Sequence, residues 1–239
     1  MDRMKTTLYS ADSRGFADHG WLKARHSFSF AGYFNRDRMH FGLLRVLNDD
    51  IVDPGQGFGT HPHDNMEIVT IPLIGALEHK DSTGNIGVIH PNEVQIMSAG
   101  SGLYHSEYNH SKEEICNLLQ IWVFPKERDI KPRYDQRIFS PEERENQFCT
   151  LVSPEEKDNA LWINQDAYFS RAKIDGGKSL LYTIKKKGNI AYLFVIEGEV
   201  ILADNKLNRR DALGIEETDN FEITAETTSE VLVIEIPVE

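Results

Sequence analysis

Two short segments, His61-Pro62-His63 and His105-Ser106-Glu107, constrain this chain more than anything else in it. Side chains on an extended strand alternate faces, so residues two apart point the same way and each segment aims two donor groups together. The segments therefore ask for strands, and for a fold that sets those strands side by side. Brought together they form a three-histidine, one-carboxylate set, and imidazole with carboxylate suits iron, manganese, copper, nickel or zinc. Four protein donors leave open positions on a six-coordinate ion, where a substrate oxygen or dioxygen can sit.

The rest of the chain agrees with an all-β fold. Short runs of β-branched and aromatic residues recur between Gly, Asn, Asp and Pro, as in Phe41–Val46, Glu67–Leu73, Leu118–Phe124, Ala191–Ile196 and Glu230–Ile236. Asp81–Asn85 and Asp204–Lys206 read as hairpin turns. Short helices are expected only at Pro141–Gln147 and Pro154–Asn159, each opened by Ser-Pro, where serine can cap and proline can take the first helical position.

Between Pro125 and Pro154 the composition turns proline-rich and charged, as in a linker. The expectation is two β domains, 1–130 and 131–239, and an internal repeat. Ile68–Leu77 and Ala191–Val200 share a strand, glycine, strand pattern; aligning Gly75 with Gly198 puts Ile184 and Lys186 about where His61 and His63 would be. Neither suits a metal. All 9 histidines lie between His19 and His110, so the first domain alone is expected to carry the metal chemistry.

Composition closes off other classes. A formal charge of −12 disfavours direct nucleic-acid binding, which needs a basic surface. The first twenty residues lack the apolar stretch of a signal peptide, and apolar runs elsewhere are strand-sized, so a cytoplasmic protein without a membrane span is expected. Cys116 and Cys149 are too few for a disulfide framework and read as reduced thiols. No serine or cysteine nucleophile context and no phosphate-cradling glycine loop is present.

The pattern Gly55, His61-Pro62-His63, Glu67, Gly75, followed by Gly102-Leu-Tyr-His105-Ser-Glu107-Tyr-Asn109, resembles the two motifs of the cupin superfamily, a small β-barrel with a metal in its mouth. The second motif departs from the usual form in having Gly100 where proline is common and Glu107 two residues after its histidine. With His19-Gly-Trp, His26-Ser-Phe-Ser-Phe30, Gly57–Val69, Gln95–Asn109 and Tyr134, the departure resembles the pirin family over residues 15–140, and within it the bacterial quercetin 2,3-dioxygenase branch. The resemblance implies a bicupin with one divalent transition metal ion, iron taken first, held by His61, His63, His105 and Glu107 in the N-terminal barrel. It implies cleavage of a flavonol such as quercetin by dioxygen to a depside and carbon monoxide. Glu107 is then the catalytic base, as the one ionisable ligand that is not histidine.

The competing reading of the four residues is a hydrogen-bonded polar barrel mouth or a structural zinc site. The competing reading of the function is a metal-dependent regulator that binds a protein partner. Glu67 is expected to hydrogen-bond a ligating imidazole rather than to bind metal. His79, His90 and His110 are expected in solvent, the Lys185-Lys186-Lys187 run in a solvated turn, and His26 either in the pocket or packed away from it.

Overall fold

The computed structural model of the chain describes residues 4–156 and 159–239. Strands dominate; the described helical elements are two single 3-10 turns, Ala11–Ser13 and Pro141–Arg144. The latter is the remnant of the helix expected at Pro141–Gln147. Its start has Ser140 at the cap position and Pro141 in the first turn, as foreseen; the Glu143 carboxylate also accepts from the Ser140 amide at 2.7 Å, but the turn stops after Arg144. The helix expected at Pro154–Asn159 takes in residues 157 and 158, outside the described residues; Pro154–Glu156 and Asn159 are bend, turn or irregular.

Each half of the chain pairs a seven-stranded sheet with a four-stranded one in the same strand order; all strand pairs are antiparallel except the edge pair Cys149–Ser153 with Leu161–Trp162 in the second half, which is parallel. In the first, the central strands are Glu93–Ser98, Glu67–Ile74, Cys116–Val123 and Leu44–Val52; in the second they are Ala212–Glu216, Ile190–Glu197, Ser229–Ile236 and Tyr168–Ile174. Gly75 and Gly198 close equivalent strands with φ of 71° and 88°. This is the two-barrel cupin architecture expected from the sequence, with the barrels built on one plan. The strand matching Gly57–His63 is Ser179–Thr183, so Ile184 and Lys186 fall just beyond it rather than at the matching positions.

The outer strands interleave across residue 130. Lys5–Tyr9 pairs with Ala212–Glu216 in the second sheet, and Arg133–Ile138 pairs with Glu93–Ser98 in the first. The seven-stranded sheets pack on each other through a shared core in which Leu47, Ile71 and Leu119 meet Phe169, Phe194 and Ile234. Tyr192 is its aromatic centre, with ring centroids of Tyr9, Phe28 and Phe41 at 5.3, 5.6 and 5.6 Å.

The barrel interiors differ. The second is filled by Leu193, Val233, Leu213, Ile223 and neighbours, with Tyr182 stacked on Phe221 at 5.2 Å. Each such side chain contributes on the order of 1.5–3 kcal/mol on burial, so this interior needs no ion to hold it together. In the first barrel the apolar filling of Leu22, Val52, Leu77, Ile89 and Leu118 occupies only part of the space. A second apolar cluster of Ile68, Met97 and Leu103 lines another part, and between them lie buried polar side chains, His79, His105, Glu107 and Asp50 among them.

Candidate metal centre

The strand Leu103–Asn109 alternates along its length: Leu103, His105, Glu107 and Asn109 are buried, while Tyr104 and Tyr108 face outward. It lies between Gly57–His63 and Leu77–Asp81 in the four-stranded sheet. His105 sits directly across from His61, Leu103 across from His63, and a register shift after His105 sets Glu107 opposite Phe58. The shift brings the strands so close that a Cβ on Gly57 would collide with the Glu107 carbonyl oxygen.

The sequence-predicted residues thus gather in one place, in two overlapping groups. Donor atoms of His61, His63 and His105 lie within 4.8 Å of one another, and so do those of His79, His105 and Glu107. His105 belongs to both. The Nε2 atoms of His61 and His105 are only 2.9 Å apart, while His61 Nδ1 is 2.8 Å from the Gly59 carbonyl oxygen. A carbonyl only accepts, so Nδ1 of a neutral His61 carries the hydrogen and its Nε2 lone pair is turned toward His105.

Burial holds His63 and His105 neutral, since a charged imidazole out of water is costly. His63 is pushed down to about 4, by burial first and then by His61; His105 is lowered further, by burial and then by His61, His63 and His79. Glu107 is pushed up to about 7 by burial, against a hydrogen bond from Gln120. Its Oε2 accepts from Gln120 Nε2 at 2.9 Å, and its buried Oε1 has no partner. An orphaned carboxylate oxygen beside converging bare imidazole nitrogens fits a divalent cation, whose ligands at roughly 2.1 Å in adjacent positions stand roughly 3 Å apart. The cluster is therefore capable of holding a metal.

A cavity of about 210 Å³ opens onto it, walled by Phe30, Phe58 and Trp122 and floored by His61, His63, Glu107 and Gln120. Trp122 meets His63 edge-on at 4.9 Å and Phe30 at 5.3 Å. Hollows of about 530 and 400 Å³ elsewhere contain no histidine. Asn48 and Asp50 complete the cavity wall. Asp50 was not foreseen: its Oδ1 is buried without a partner, and its carboxyl is held well above the usual range by burial, then by Asp49 and Glu107. The signal lay in Leu44–Val52, LRVLNDDIV, where strand parity sends Asn48 and Asp50 to one face and Asp49 to the other. Asp49 indeed points away, 3.2 Å from Arg210 Nε.

Two expectations, for His79 and Glu67, resolve differently, and the open reading of His26 is decided. His79 is not in solvent but wholly buried, its Nδ1 3.4 Å from His105 Nδ1, because its strand turns that face inward. His90 and His110 are exposed, as expected. His26 is buried behind the cavity, with Nδ1 2.9 Å from Asn48 Oδ1 and its ring 5.3 Å from Phe30. Glu67 bonds no imidazole: Ser98 Oγ and the Asn164 amide donate to its Oε2 at 2.8 and 3.1 Å. The strand breaks between His63 and Glu67, with Asn65 at φ 45°, so parity does not carry across.

Glu67 instead ties the first barrel to the second, and its carboxyl is pushed from 4.5 to about 7 by burial. A raised acid stabilises the fold below its unfolded pKa, and that contribution is lost as pH rises through the folded value. Glu67→Gln can keep both hydrogen bonds through its carbonyl. Its melting temperature is expected to match the parent near about pH 5 and exceed it above about pH 8, by a stability on the order of 3 kcal/mol at most. Calorimetry across that range checks the sign, with metal content unchanged.

Two barrels of one plan, with a His/Glu cluster capable of holding a metal in the first alone among the described residues, define a bicupin. Comparison with known proteins narrows the class. The Pirin family model matches residues 9–123, and the quercetinase C-terminal cupin domain model matches residues 150–236. The chain is 41% identical over 230 residues to quercetin 2,3-dioxygenase of Escherichia coli (strain K12), covering 96% of this chain and 98% of that protein. It is 40% identical over 225 residues to a pirin-like protein of Caulobacter vibrioides, covering 94% and 96%. The crystal structure of bacterial pirin YhhW from Escherichia coli in complex with nickel(II) superposes with a TM-score of 0.92 at 40% identity, covering 98% of this chain and 99% of that one. The chain belongs to the pirin family.

Proposed function

We propose that this chain is a metal-dependent dioxygenase that cleaves flavonols such as quercetin with dioxygen, releasing carbon monoxide. The observation that carries the reading is the unpartnered Glu107 oxygen set among converging imidazoles at the base of an aromatic-walled cavity. The quercetin 2,3-dioxygenase named among the relatives supports the substrate class. His61, His63, His105 and Glu107 are the residues that would hold the ion, with iron the first expectation and nickel the metal present in the Escherichia coli relative. A bound ion supplies Lewis acidity and redox chemistry toward dioxygen and an oxygen substituent of the substrate.

The chain's own part is positioning and proton transfer. Phe30, Phe58 and Trp122 offer flat apolar walls for an aromatic ring system and exclude water from it. Glu107, poised near neutrality, accepts the proton of the flavonol 3-hydroxyl and leaves the more electron-rich flavonolate for attack by dioxygen. Asp50 and Asn48 face the same space and meet hydroxyl groups of the substrate. At about 210 Å³ the cavity is smaller than the roughly 300 Å³ at which drug-sized pockets begin. Part of a flavonol therefore lies at the mouth.

The reading requires one ion per chain. Elemental analysis after exhaustive dialysis is expected to give a single tightly held ion, because the second barrel holds no histidine and its buried Glu235 is already taken by hydrogen bonds from Tyr182 and Asn189; two such ions would defeat it. Activity is tested by quercetin consumption and carbon monoxide release under air, using protein loaded in turn with iron, manganese, nickel and copper. Neither signal above a metal-only control with any of them replaces the dioxygenase by the regulatory reading.

A further inference from the structure

Behind His105, on the side away from the cavity, stands a second pair of residues that the proposed chemistry does not use. His79 Nδ1 is 3.4 Å from His105 Nδ1, and His79 Nε2 is 3.4 Å from Asp81 Oδ2. Asp81 begins the turn expected at Asp81–Asn85, and the turn closes around its carboxylate. Its Oδ1 accepts from the Thr83 amide, the Thr83 hydroxyl and the Asn85 amide at 2.9, 2.7 and 3.1 Å, and its Oδ2 accepts from Asn85 Nδ2 at 2.9 Å. Such a group has no hydrogen to give. Burial alone would raise its pKa, yet these bonds from Asn85 and Thr83 bring it down to about 2.

Hydrogen positions then follow in order. Because Asp81 can only accept, His79 Nε2 must carry a hydrogen. A wholly buried His79, lying 5.1 Å ring to ring from His105, is neutral, so its Nδ1 is a bare acceptor. His105 must therefore donate from Nδ1, which leaves its Nε2 lone pair facing His61 Nε2 at 2.9 Å. Tyr134, 4.8 Å away at an interplanar angle of 34°, keeps the His79 ring in place.

We propose that His79 and Asp81 are positioning residues that set the tautomer of His105, so that the nitrogen it presents to the metal cluster is always unprotonated. The consequence for metal binding rests on the ligand set proposed above, whereas the tautomer does not. A partner bonded to the far nitrogen of a ligating imidazole typically changes metal affinity 10–100-fold when removed; here that partner is a second histidine, itself set by a carboxylate.

The test uses metal-free full-length protein with ¹⁵N-labelled histidine. Long-range proton–nitrogen NMR correlations are expected to show His105 protonated at Nδ1 and His79 at Nε2. In Asp81→Asn the turn's donors hold the amide carbonyl, so the new NH₂ group faces His79 Nε2. Both tautomers then reverse and His105 turns an N–H toward the cluster. Nickel(II) affinity, measured by competition with a chelating indicator, is expected to fall about 10–100-fold. His79→Phe keeps the ring against Tyr134 but removes both nitrogens, and should lose affinity similarly; it decides the matter if Asp81→Asn does not fold. Wild-type His105 protonated at Nε2, or both variants within twofold of wild-type nickel affinity, overturns the proposal. Wild-type protein that takes up no nickel defeats the metal-site reading, and the tautomers still decide the relay.

Discussion

Replacing His105 by alanine is expected to leave the protein unable to retain nickel(II) or iron(II) through dialysis, an affinity loss of about 100-fold or more. Among the histidines of the cluster, His105 alone belongs to both donor groups, facing His61 with one nitrogen and His79 with the other. His61→Ala and His63→Ala each remove a donor from one side and should weaken binding as well. His90→Ala and His110→Ala, on exposed residues, should change nothing. Equilibrium dialysis with elemental analysis reads all five, and circular dichroism confirms that each variant is folded. Retention of a full equivalent of metal by His105→Ala would remove the cluster as the site.

Glu107→Gln is expected to lower quercetin turnover by about 10²–10⁴-fold, the usual size of a lost general base, while metal content falls much less. Glutamine has the same length and its carbonyl can still accept from Gln120, so the pocket keeps its shape. What disappears is a group able to take a proton near neutrality. In wild type the base is the ionised form, so activity should be lost as pH falls through the Glu107 pKa. Burial places that value at about 7 in the metal-free protein; a bound cation favours the anion and moves the acid limb lower. A pH profile of kcat/KM checks the sign. Unchanged turnover in a metal-loaded Glu107→Gln would transfer the role elsewhere, and Asp50, the other unpartnered acid on the cavity, is the group to test next.

The sequence was most legible where period-two parity ran unbroken. His105 and Glu107 share one strand and one face, as their spacing required. Parity failed where the strand itself ended, at Asn65, which is why Glu67 bonds Ser98 and Asn164 instead of an imidazole. His79 was misplaced for a different reason. Flanked by Glu78 and Lys80 it looks like a surface residue, but those neighbours are exposed because His79 is not. The same alternation would have placed it inward had Leu77 and Asp81 been taken as its partners in parity. Asp50 was hidden in plain view, one of three consecutive polar residues, Asn48-Asp49-Asp50, in a buried strand. The absence of histidine beyond His110 was informative, because the second barrel spends the matching space on Tyr182 and Phe221.

The exchanged outer strands bear on how the chain is made. Lys5 faces Glu216 across the second sheet, so the strand Lys5–Tyr9 pairs with one made about two hundred residues after it. At roughly 5–20 residues per second, its partner emerges roughly 10–40 s later. During that interval Leu8 and Tyr9 have no sheet to join, while the barrel carrying the histidines can already close around residues 15–138. The metal cluster can thus assemble before the second barrel is complete, and the strand Lys5–Tyr9 acts as a late latch that fastens the two halves only after Ala212–Glu216 has been made.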